Sequence, residues 1–105
     1  MRDQYILELL NDLSRLLDKY QVGPWSEKIK RLRSTYQQAI LNNHQQDKYS
    51  ALEEIKDLFG GMGSFNDYTI THLHGDCIDE SQEQEANMLL NNLRHKLADV
   101  ASSQP

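Results

Sequence analysis

Apolar residues recur at steps of three and four along most of the chain, which is the spacing of the buried stripe of an amphipathic helix. These stripes predict a first helix from Asp3 to Tyr20 and a second helix from Pro24 to Asn43. Between them, Gly23 suits a left-handed helix cap and Pro24 suits the first turn of the next helix. A connection this short predicts that the second helix folds back antiparallel to the first.

Two further helices are predicted in the second half of the chain. The polar stretch at residues 42–46 is typical of a loop, after which Asp47 can cap a third helix and Gly60 can end it. Asp79, with Gln82 three residues later, matches a capping box in front of a fourth helix over residues 80–101. We therefore predict an all-α fold, in which residues 1–101 form a single four-helix antiparallel bundle and residues 102–105 form a disordered tail.

A glycine-rich irregular segment separates the third and fourth helices, and three of the five glycines fall within four residues. A phosphate-binding loop is disfavoured because no strand precedes the glycines and no Gly-Lys-Ser/Thr sequence follows them. We interpret the glycines as a helix end followed by tight turns, with Met62 and Phe65 reaching back into the core. Ser64 and Asp67 match a second capping box, which predicts a short helix through residues 68–70, and an extended segment is the alternative.

The same segment resembles the signature of an uncharacterised family of small bacterial helical proteins. Eight residues, which directly follow an Ile-x-x-Leu-Phe sequence, carry the resemblance: Gly60, Gly61, Met62, Gly63, Ser64, Phe65, Asn66 and Asp67. Proteins resembling this one are short, acidic and without evident catalytic residues. They are thereby similar in character to bacterial immunity proteins, which neutralise a toxin. The resemblance implies a protein-binding role and carries over no catalytic residue.

Composition and charge narrow the class of protein. Of the 105 residues, 38% are hydrophobic and 26% are charged, as expected for one folded domain. The sequence predicts neither a membrane span nor a signal peptide, and its single cysteine, Cys77, requires no oxidising compartment, so we expect a cytoplasmic protein. A net charge of −5 disfavours nucleic acid as a partner.

The negative charge is concentrated in the second half of the chain. Between His44 and Leu90 the sequence has ten acidic residues and two basic ones. Such an uneven distribution favours association with a basic partner. Together with Asp67 and Tyr68, the densest acidic run is the candidate partner-binding surface: Asp76, Asp79, Glu80, Glu83 and Glu85. The alternative interpretation is a solvated helix start, where the helix dipole favours carboxylates.

Two other groups of residues have side chains of the kinds found in binding sites. Four neighbouring residues have side chains that can bind a metal: His72, His74, Asp76 and Cys77. A structural zinc site usually combines two ligand pairs from separate places, so we interpret this group as a solvated loop and predict neither a metal nor a cofactor. The basic cluster of the second helix lacks interleaved exposed aromatic residues, and we interpret it as a solvated helix face: Lys28, Lys30, Arg31 and Arg33.

The leading hypothesis is an immunity-type protein, not an enzyme, that binds a basic toxin domain such as a nuclease through its acidic surface. The alternative hypothesis is a small helical regulatory or adaptor module that acts without a toxin, for example as a homo-oligomer. A third, weaker hypothesis is a metal-dependent enzyme that uses His72, His74 and Asp76.

Overall fold

Four α-helices account for most of the chain in the computed structural model, which describes residues 2–59, 65, 68–74 and 78–102. The helices are α1 (Arg2–Lys19), α2 (Gly23–Leu41), α3 (Gln45–Asp57) and α4 (Glu83–Ser102). Among the described residues, the 3-10 helices His72–His74 and Glu80–Gln82 precede α4. Within the described ranges all regular secondary structure is helical, which confirms the predicted all-α class.

The turn between α1 and α2 differs from the prediction in the residue that adopts the left-handed conformation. Gln21 has a φ of 56°, whereas Gly23 is already the first residue of α2. The backbone N–H of Val22 donates to the carbonyl oxygen of Leu17 at 2.9 Å and closes the end of α1. The assignment of the left-handed cap to Gly23 was therefore wrong, because a non-glycine residue accepts that backbone conformation here.

The third helix begins earlier than predicted. His44 is the residue before α3, and Asp47 lies within the first turn. The Asp47 carboxylate contacts Nδ1 of His44 at 3.0 Å. Asp47 therefore supports the first turn from inside the helix, where a carboxylate is favoured by the helix dipole, and its prediction as the cap was wrong. The helix ends at Asp57, and the predicted terminator, Gly60, lies outside the described residues.

The approach to α4 follows the predicted capping box. The backbone N–H of Asp79 donates to the Gln82 side chain at 3.4 Å, and the Asp79 carboxylate accepts from the Gln82 backbone. The box begins a 3-10 turn, and regular α-helix starts only at Glu83. At its other end α4 includes Ser102, the first residue of the predicted tail, while residues 103–105 lie outside the described ranges.

The core is formed by the predicted stripes. Helix α1 packs against α2 and α4, and α3 packs against the same two helices. Phe65, Ile70 and Ile78, which precede α4, are also buried, so the prediction that Phe65 reaches the core is confirmed. Met62 lies outside the described residues. The largest fully buried side chains are Tyr36, Phe65, Ile6, Leu10, Leu13, Leu17, Ile29, Leu32, Ile55, Leu58, Ile70 and Leu90.

A polar contact joins three helices at one end of the molecule. Asp3 of α1 accepts hydrogen bonds from the Tyr36 hydroxyl of α2 at 2.6 Å and from Nζ of Lys48 of α3 at 3.0 Å. Burial raises the pKa of the Asp3 carboxyl, but the hydrogen bonds from Tyr36 and Lys48 outweigh it and hold that pKa below its usual value. The contact therefore stabilises the folded chain when Asp3 is ionised.

No helix within the described ranges combines the length and the apolar character needed to cross a membrane.

Candidate functional site

The segment that precedes α4 lies along that helix and is attached to it by polar side chains. Arg94 donates hydrogen bonds to the carbonyl oxygens of Phe65 and Tyr68. The backbone N–H of Ile70 donates to Asn87, and the backbone N–H of His72 donates to Glu83. Later residues of the segment contact earlier residues of α4, so the segment runs antiparallel to the helix.

Phe65 lies in a 3-10 turn, in which the backbone N–H of Tyr68 donates to the Phe65 carbonyl oxygen at 3.2 Å. From Tyr68 to Thr71 the backbone is not helical, so the prediction that a short helix continues through Tyr68 and Ile70 was wrong. Both residues of the proposed capping box, Ser64 and Asp67, lie outside the described residues.

Asn87 makes the central attachment. Its Oδ1 accepts from the backbone N–H of Ile70 at 2.8 Å, and its Nδ2 donates to the Ile70 carbonyl oxygen at 2.8 Å. The same Nδ2 donates to the carbonyl oxygen of Glu83, one turn earlier in α4, also at 2.8 Å. One amide thus satisfies both backbone groups of a fully buried residue, which would otherwise be costly to desolvate.

Arg94 makes a second attachment from inside the protein, where it is only 5% exposed. Its Nη1 donates to the carbonyl oxygens of Phe65 at 2.5 Å and Tyr68 at 2.8 Å, and its Nη2 contacts the side chain of Asn91. The guanidinium also lies 5.5 Å from the centre of the Phe65 ring. Arg94 therefore fixes the position of the turn that carries Phe65 and Tyr68.

Three aromatic rings meet beside this turn. The Trp25 ring of α2 lies 4.9 Å from the Phe65 ring and 6.2 Å from the Tyr68 ring, measured between centroids. Phe65 is fully buried, while Trp25 and Tyr68 are partly exposed. Tyr68, a predicted partner-binding residue, is thus one edge of a packed cluster, and part of its surface remains accessible.

Glu83, another predicted partner-binding residue, is used within the fold. Its Oε1 accepts from the backbone N–H of His72 at 3.0 Å, and its carboxylate also lies 3.2 Å from Nδ1 of His72. A hydrogen bond from the Thr71 side chain, followed by those from His72, holds the pKa of Glu83 below its usual value. The carboxylate therefore orients the 3-10 turn His72–His74, and only part of it is left for a partner.

Exposed carboxylates surround this attachment. Asp79, Glu80 and Glu85 are exposed at the approach to α4 and in its first turn. We call these three residues the acidic surface. From Asp57 to Leu93 the sequence contains neither lysine nor arginine. The remaining two predicted members, Asp67 and Asp76, lie outside the described residues.

The other candidate sites are only partly described. Asp76, Cys77 and the side chain of His74 lie outside the described residues, and His72 is engaged by Glu83. Among the residues that are described, no group of three or more histidine, cysteine or acidic side chains is placed to hold a metal ion. In the basic cluster of α2, Lys30 pairs with Asp18 at 2.8 Å and Lys28 lies over the Trp25 ring.

The fold and the site define a small all-helical protein whose last helix begins at an exposed group of carboxylates. The chain belongs to the family described as a domain of unknown function, DUF6966, whose model matches residues 18–79. The match includes α2, α3 and the segment up to the capping residue Asp79. Comparison with curated proteins and with solved structures found no match.

Proposed function

We propose that this chain is an immunity-type protein, which binds a basic toxin domain through the acidic surface of Asp79, Glu80 and Glu85. The observation that carries the proposal is the exposure of these carboxylates beside a segment that several hydrogen bonds hold in place. A fixed surface loses little conformational entropy when a partner binds. The accessible edge of Tyr68 is a suitable anchor in the same region, because tyrosine is enriched among the residues that dominate binding energy.

The charge of the surface suggests the chemistry of the partner. Toxins that cleave nucleic acids, such as nucleases, need cationic side chains to hold phosphates, so their active sites attract carboxylates. Opposite charges accelerate encounter, and their effect weakens with salt. An acidic protein that covers such an active site blocks the substrate without performing any chemistry.

We propose that the protein acts by binding its partner and that it catalyses no reaction. Among the described residues, the closest pairing of a histidine with a carboxylate near the acidic surface is that of His72 and Glu83. The Glu83 carboxylate also accepts a hydrogen bond from the backbone N–H of His72, so this pairing holds the 3-10 turn His72–His74 in place. We further propose a cytoplasmic location, where such a protein meets an incoming toxin.

We propose an antiparallel bundle as the finer topology. Asp3, at the start of α1, contacts Tyr36 near the end of α2, whereas Asp18, near the end of α1, contacts Ser26 at the start of α2. These two contacts support opposite directions for α1 and α2. The short turn between the helices favours the same arrangement.

The proposal is tested by co-expression with the product of the neighbouring gene. If that gene encodes a toxin, we expect wild-type protein to restore growth, and we expect the double variant Glu80→Lys, Glu85→Lys to lose this protection. Asp79 and Glu83 are left unchanged in the variant, because Asp79 caps the turn before α4 and Glu83 accepts a hydrogen bond from the His72 backbone.

The matched control reverses two exposed carboxylates on α3, Glu54 and Asp57, and so changes the net charge by the same amount. Protection by the control and not by the first variant supports the acidic surface. Equal protection by both variants, or a neighbouring toxin that the wild type does not neutralise, contradicts the proposal.

A further inference from the structure

A shallow apolar groove runs between α1 and α4. Its residue Leu89 lies one helical turn after Glu85 of the acidic surface. The lining of the groove consists of Asp12, Arg15, Leu16, Lys19, Leu89 and Leu93. Leu16 and Leu93 are nearly buried at its base, whereas Leu89 is 47% exposed. A leucine this exposed gains free energy when another apolar surface covers it.

We propose that this groove binds a second copy of the chain and forms a two-fold symmetric dimer. The argument rests on the charges beside the leucines. Asp12 and Lys19 are seven residues apart, which is about two helical turns, so they lie on one side of α1 with Leu16 between them. When α1 lies antiparallel to α1 of the second copy, centred near Leu16, Asp12 of each copy faces Lys19 of the other.

The symmetry forms this contact twice. A two-fold interface joins the same patch from each copy, so the patch has to be complementary to itself. A patch of one sign repels its copy, whereas acidic and basic residues spaced along a helix attract it. Asp12 forms no ion pair among the described residues, so its carboxylate is available for the contact.

The net charge of the chain also favours this groove over other surfaces for self-association. A chain of charge −5 repels its copy on average, and the acidic surface repels it most. The groove has two basic residues and one acidic residue, so two copies can approach each other there. Neither Asp79 nor Glu80 lines the groove, and the dimer does not depend on the proposed toxin.

The first test is sedimentation velocity of the purified full chain from low micromolar to millimolar concentration. We expect a reversible dimer, and we expect Leu89→Glu to raise its dissociation constant at least about tenfold. The matched control is Leu41→Glu at the end of α2, where the leucine is 70% exposed and outside the groove; we expect it to dimerise like the wild type.

The second test exchanges the charges of the groove at two exposed positions. We expect Asp12→Lys and Lys19→Glu each to weaken the dimer, and the double variant to restore the wild-type dissociation constant. Circular dichroism checks that each variant is folded. A wild type that is monomeric at every concentration overturns the proposal, as does a dimer insensitive to Leu89→Glu or a double variant no better than the single ones. Only this chain is present, so such a failure leaves the proposed toxin binding untouched.

Discussion

Replacing Asn87 by alanine tests whether the segment before α4 depends on a single side chain. The amide makes three hydrogen bonds of 2.8 Å, two with the backbone of Ile70 and one with the carbonyl oxygen of Glu83. Each such bond contributes about 1 kcal/mol, and a buried backbone group left without a partner costs more. Alanine offsets roughly 0.5 kcal/mol by its higher helix propensity. We therefore expect Asn87→Ala to lower the free energy of unfolding by about 2–3 kcal/mol.

The assay is equilibrium unfolding in urea, followed by circular dichroism. Asn92→Ala is the matched control, because Asn92 is exposed on the same helix and the substitution has the same effect on helix propensity. We expect the control to lie within about 0.5 kcal/mol of the wild type. Equal stability of the two variants refutes the conclusion that Asn87 holds the segment in place.

Two further predictions concern the core and the contact at Asp3. Phe65→Ala should lower the free energy of unfolding by about 3–5 kcal/mol and change the fluorescence of Trp25, whose ring lies 4.9 Å away; an unchanged spectrum and stability contradict the burial of Phe65. The pKa of Asp3 is lower in the folded state than in the unfolded state. The ionised carboxylate therefore stabilises the fold at pH values above the unfolded-state pKa, and this stabilisation is lost as the pH falls through the folded-state pKa. Asp3→Asn should therefore destabilise the protein at neutral pH and much less at strongly acidic pH. Urea titrations across this range check the difference, and parallel stability curves contradict it.

The helices were predictable because their apolar stripes are regular, whereas helix ends depend on details outside the stripe. Asp47 satisfies the sequence pattern of a cap, yet His44 takes that place because α3 starts before Asp47. Gln21 adopts the left-handed conformation that the sequence assigns to the nearby glycine. Each difference involves two or three residues, a scale at which local backbone alternatives are close in free energy.

The attachment of the segment to α4 could not be predicted from the spacing of apolar residues. Asn87 and Arg94 are polar residues in a helix, and such residues usually face solvent. Here they face backbone groups of the preceding segment: the carbonyl oxygens of Phe65 and Tyr68, and both backbone groups of Ile70. Glu83 belongs to the acidic run in the sequence, but the fold brings it to His72, eleven residues earlier. The intervening residues give no periodic signal for that contact.

The most direct test of the central claim is the affinity of this protein for the toxin domain encoded by the neighbouring gene, measured by biolayer interferometry at low and high salt. We predict that the Glu80 and Glu85 reversals raise the dissociation constant at least about tenfold and that salt slows association of the wild type. The α3 reversals should retain wild-type affinity. Wild-type affinity in the double variant, with association independent of salt, contradicts binding through the acidic surface.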